Sequence, residues 1–309
     1  MKTPPSNTAR RPAGAALHGR PGGSALGNVI RRSPLITFFV LAFGFSWALW
    51  TPYILSNHGL GIWDYVFPGG PMGSQLLGVL PGAYCGPIGA ALLVTAIADG
   101  RPGLRVWRKR MTNFRVRWYW YLVVILAVPT VLILATTVLS GVTPVLPPVA
   151  VLMVFLPGLL LQVITTGLAE EPGWREFAMP RMQERFSPVV ATFIVGLLWG
   201  LWHMPLYLTE WGGKTDTLLK PLEFLITVIA FSYVMTWVFN LSGESMPLIM
   251  LLHASINNFI SMIWSSVFPT VSPEYGFHVF LAGSLVCGAI VLIATRGRLG
   301  RPRAPLTKV

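Results

Sequence analysis

Eight apolar stretches, each long enough to cross a bilayer, dominate this sequence. A hydrocarbon core about 30 Å thick takes about 20 apolar residues in a helix. Inside it every backbone N–H and C=O must bond within the protein, which leaves helices or closed barrels. Barrel strands alternate polar and apolar side chains and give no long apolar runs. The runs predict spans near 34–56, 76–98, 118–140, 149–178, 188–208, 221–241, 246–267 and 277–295. The expected fold class is all-α, a polytopic integral membrane protein with about eight transmembrane helices. Composition agrees: 53% of the 309 residues are hydrophobic and 11% charged, against about 25% charged in a soluble domain. A soluble enzyme, a disordered chain and a disulfide scaffold are excluded.

The net charge of +12 would suggest nucleic acid in a soluble protein. Here the positive residues lie between apolar runs, so they read as topology signals and contacts with membrane lipids. No nucleic-acid partner is expected. With eight spans, 21 of the 23 Lys and Arg fall on one side, leaving only Lys214 and Lys220 on the other. By the positive-inside rule the N- and C-termini are both cytosolic. Residues 1–33, rich in Pro, Gly, Ala and Arg, are expected to be a disordered basic tail. Residues 34–295 form the membrane-embedded domain, and 296–309 a second basic cytosolic tail. Cys85 and Cys287 sit inside apolar runs without a pairing pattern and read as small packed residues.

Ionisable groups inside a membrane cost about 2.5–3.5 kcal/mol each on insertion scales, so those near spans carry the functional information. Glu170 and Glu171 lie late in the fourth span, with Arg175 four residues after Glu171 in the favourable acid-first order. His203 follows Trp199 by one turn in the fifth span. His253 and Asn257 share a face of the seventh. Glu170 and His203 are equidistant from the Phe186–Ser187 junction. A hairpin turning there sets them side by side, provided the helix runs past Pro172, kinked there. A lone intramembrane His is more often a helix-packing hydrogen bonder than a catalyst; His58 and His278 read as structural residues. The combination of groups is less bland. A glutamate beside a histidine can deprotonate a water, and a second His with an Asn can stabilise an oxyanion. Glu with two His also suits a catalytic zinc. No HExxH string is present, so the divalent metal stays open, and no other cofactor is expected. A carrier lined by these residues is the reading from another class.

The strings Glu170-Glu171-Pro172-Gly173-Trp174-Arg175, Trp199 to His203 and His253 to Asn257, in this order, resemble the CPBP family of intramembrane proteases. That family includes CAAX prenyl endopeptidases and bacteriocin-processing or abortive-infection membrane proteins. The resemblance covers about 150–267. It implies an intramembrane peptidase in which Glu170 and His203 activate water, His253 and Asn257 hold the oxyanion, and Glu171 and Arg175 support the site electrostatically. It implies a protein or peptide substrate, with a lipidated one compatible but not demanded, and a location in a bacterial plasma membrane. A non-catalytic immunity or binding protein of the same family is the alternative. Glu176 stands where family members often have Gly.

Overall fold

The computed structural model describes residues 24–213 and 217–301. Among them there is no strand. Eight helices among the described residues are long and apolar enough to span a membrane: α2 (Pro34–Leu55), α3 (Gly70–Ala98), α5 (Tyr119–Ser140), α6 (Val149–Gln183), α7 (Pro188–Leu208), α8 (Leu219–Leu241), α9 (Met246–Val267) and α10 (Pro273–Thr295). Two shorter helices, α1 (Ala25–Arg32) and α4 (Gly100–Met111), precede α2 and follow α3. The chain is an integral multi-pass membrane protein with an all-α fold.

α1 corrects the expectation of disorder up to residue 33. Ser24 caps it by accepting the Gly27 N–H at 3.2 Å, and Arg31 and Arg32 close its last turn, where cations suit the helix dipole. Gly27 and Ile30 are buried. Residues 1–23 lie outside the described residues. So do 302–309 of the C-terminal tail, but the preceding turn is packed. Leu299 is fully buried, and its carbonyl accepts from Asn240 Nδ2 at 2.8 Å. The cysteines also depart from expectation. Cys85 is exposed and Cys287 half-buried, so neither is packed in the protein core.

α6 is the helix that positions the site, and it runs on through Pro172 to Gln183. Proline lacks an N–H and its ring clashes with the carbonyl four residues back. The helix answers by widening into π turns over Val163–Gly167 and Pro172–Ala178, on either side of Glu170 and Glu171. Gly173 permits close approach to α3, because a Cβ there would come within 2.6 Å of the Pro87 Cβ. Residues 184–187 then turn the chain, and Ser187 caps α7. Glu170 and His203 are thereby reflected onto the same level of an antiparallel pair.

Candidate active site

The regular α-helix of the fifth span ends at Trp202, and His203 begins a tighter turn over Met204–Leu208, where Pro205 blocks further α-helix. His203 is buried, with Nδ1 2.9 Å from the carbonyl of Trp199. A carbonyl only accepts, so Nδ1 carries the proton and the Nε2 lone pair faces outward in the neutral ring. Nε2 lies 3.7 Å from Glu170 Oε2. The same carboxylate oxygen accepts the Trp199 indole N–H at 2.7 Å. Trp199 therefore orients both members of the pair, one through its side chain and one through its backbone. On its other side His203 stacks on Trp211, with ring centres 5.5 Å apart and planes 18° from parallel.

Glu171 points to a second set of partners and is fully buried. Its Oε1 lies 2.7 Å from His253 Nδ1, and its Oε2 3.4 Å from Arg175 Nε. His253 meets the Trp199 ring edge-on at 5.2 Å. Arg175, also fully buried, lies over the Trp199 ring at 4.2 Å and donates from Nη2 to Ser232 Oγ at 3.1 Å. Its Nη2 also lies 3.0 Å from Met235 Sδ. Two carboxylates, two imidazoles and one guanidinium thus surround one tryptophan.

Five of the six residues singled out from sequence come together. Asn257 stands apart: it is half-buried, and its side chain makes no hydrogen bond among the described residues. Its neighbour Asn258 is buried and donates to the Phe155 carbonyl at 3.1 Å. His253 pairs with Glu171 instead of acting with Asn257 alone. Sequence reasoning missed Ser232, Met235 and Trp211, which carry no pattern linking them to a distant glutamate. It noted Trp199 only as an aromatic one turn before a histidine. His58 and His278 lie outside the cluster, paired with Glu210 at 2.8 Å and Glu223 at 2.5 Å. Glu176 lies outside the cluster and pairs with Arg110 at 3.0 Å.

A catalytic zinc takes three protein ligands and a water. Among the described residues no three His, Cys, Asp or Glu converge to hold a metal ion. Glu170 and His203 supply two such groups, 3.7 Å apart.

Residues 152–260 match the family model described as type II CAAX prenyl endopeptidase Rce1-like. All six singled-out residues fall inside that match. A curated relative, CAAX prenyl protease 2 of Methanococcus maripaludis, is 28% identical over 107 residues. That alignment takes in 33% of this chain and spans 39% of the relative's length. The resemblance read from three short strings and both comparisons converge, and they support the CPBP family of intramembrane proteases for the part of the chain that holds the polar cluster.

Proposed function

We propose that this protein is an intramembrane endopeptidase that cleaves a protein or peptide substrate with water as the nucleophile. The observation that carries the reading is the Glu170–His203 pair, 3.7 Å apart, with each member's orientation set by Trp199. A water between Glu170 and the Nε2 of His203 meets two acceptors. It gives one hydrogen to each and turns its oxygen lone pairs toward a third direction, where a peptide carbonyl carbon can sit. Glu170 takes the proton as the O–C bond forms, then passes it to the leaving nitrogen as the C–N bond breaks.

The developing oxyanion needs donors that are in place beforehand. His253 holds its Nδ1 2.7 Å from Glu171, and on taking up a proton the ring presents Nε2–H as a donor. The Glu171 carboxylate would stabilise the ring in that protonated form, and Arg175 lies 3.4 Å from its other oxygen. Asn257, one turn from His253 on α9, is the second donor that the family resemblance implies. The half-buried side chain is free of other protein partners among the described residues, as a group reserved for substrate would be.

The charge partition supports cytosolic termini, with Arg31, Arg101, Arg105 and Arg298 among the residues on that face. Substrate chemistry, including lipidation, is the family's suggestion and not a demand of the geometry. The test is digestion of a peptide library by the purified protein in micelles. Wild type should release new termini, and Glu170→Gln, which keeps size but not basicity, should lose about a hundredfold or more in rate. Equal product from both would overturn the reading.

A further inference from the structure

α4 and the loop after it carry an exposed cationic surface that the catalytic reading does not use. Gly100, with φ +63°, turns the chain sharply out of α3. The next twelve residues form α4. Leu104, Trp107, Arg110 and Met111 are partly buried, while Arg101, Arg105, Arg108 and Lys109 are exposed. These four stand at i, i+4, i+7 and i+8, within an arc of roughly 100° on a helix. None of the four has an acidic partner among the described residues. The nearby acids are engaged: Asp99 with Arg181 at 2.5 Å, and Glu176 and Glu244 with Arg110 at 3.0 and 2.5 Å. The loop adds exposed Arg115 and Arg117.

Apolar side chains are exposed beside these charges: Val106 at 47%, Phe114 at 65% and Trp118 at 73%. The segment is tied to the membrane at both ends, since α3 stops at Ala98 and α5 starts at Tyr119. A soluble acidic peptide would answer the charge and leave the apolar groups in water. A bilayer surface answers both, with headgroup phosphates for the guanidinium groups and the acyl boundary for Val106, Phe114 and Trp118.

We propose that the outward face of α4, with residues 112–118, is a binding surface for anionic phospholipid headgroups. The test uses the full-length protein in micelles containing equal phosphatidylglycerol and phosphatidylcholine, with retained lipids counted by native mass spectrometry. Wild type should retain phosphatidylglycerol preferentially. The variant R101Q/R105Q/R108Q/K109Q should lose that preference by about tenfold or more. R101K/R105K/R108K should keep most of it, which shows that loss does not stem from misfolding. R296Q/R298Q, altered beyond α10, should match wild type.

Brominated phosphatidylglycerol should quench wild-type tryptophan emission more than Trp118→Phe emission. The proposal falls if both lipids bind wild type equally or if the glutamine variant keeps its preference. It falls equally if the preference follows Arg296 and Arg298. Displacement of the lipid by soluble polyglutamate at matched charge would assign the surface to an acidic peptide and overturn it as well.

Discussion

Replacing Arg175 by Met removes the cation 3.4 Å from Glu171 Oε2, where both side chains are 0% exposed. Stranding one member of a buried pair costs about 3–5 kcal/mol. Two features of the site place this case within that range. Loss of the contact over Trp199 and of the bond to Ser232 adds to the cost, the former by about 0.5–2 kcal/mol. Against that, His253 lies 2.7 Å from the other Glu171 oxygen and can take up a proton to become its partner. We expect about 3–4 kcal/mol of destabilisation for Arg175→Met. Glu171→Gln alone strands the guanidinium and should cost a similar amount. The double variant strands neither charge, so the two losses should fall short of additive by about 2 kcal/mol. The assay is unfolding in mixed micelles by titration with a denaturing detergent, followed by tryptophan fluorescence. Losses that sum to within about 0.5 kcal/mol would refute the pairing.

Trp199→Phe keeps a ring for Arg175 and His253 but deletes the N–H that Glu170 accepts at 2.7 Å. A hydrogen bond to a charged group is worth about 1.5–3 kcal/mol, so kcat/KM on a cleaved peptide should fall about tenfold to a hundredfold, with Trp199→His no better than Phe. Chelation of divalent metal should leave the cleavage rate within about twofold, because Glu170 and His203 provide two ligand groups where a catalytic zinc needs three; loss on chelation with recovery on added zinc would reassign the pair as metal ligands. Arg110→Met should destabilise the protein by about 1–3 kcal/mol by leaving Glu176 and Glu244 without their cation, and Glu176→Gln added to it should restore part of the loss in the same detergent titration. Burial works against the charge of Arg110, but these two carboxylates outweigh it and raise the guanidinium pKa above its ordinary value.

The spans were legible because a bilayer imposes one length and one composition on every crossing helix. Where the ends differ, the terminal residues are weakly apolar. α3 begins at Gly70-Pro71, six residues before the expected start, since Pro in the first turn begins a helix without adding to an apolar run. α6 runs five residues past 178 because its last turn carries Arg181 and Gln183 and protrudes beyond the apolar stretch. The side-by-side placement of Glu170 and His203 was also legible, because an antiparallel hairpin with a known turn fixes which residues share a level. The partner of Glu171 on α9 was not. Rotation of α9 about its axis decides whether His253 or Asn257 faces α6, and spacing within α9 says nothing about that angle. The π turns around Pro172 escaped notice for a related reason: proline signals a break, and whether the helix stops, kinks or widens depends on what packs against it. α1 was hidden by a Pro- and Gly-rich neighbourhood in which the Ser24 cap, the buried Ile30 and the closing Arg31 and Arg32 are the features that favour a helix.

The most direct test of the central claim compares protein N- and C-termini in membranes of cells expressing wild type or Glu170→Gln at equal levels. The account predicts peptide termini that occur with wild type and vanish with Glu170→Gln, and those termini name the substrate. Identical termini in the two membranes, with both proteins folded and present, would contradict it and leave the cluster as a binding site.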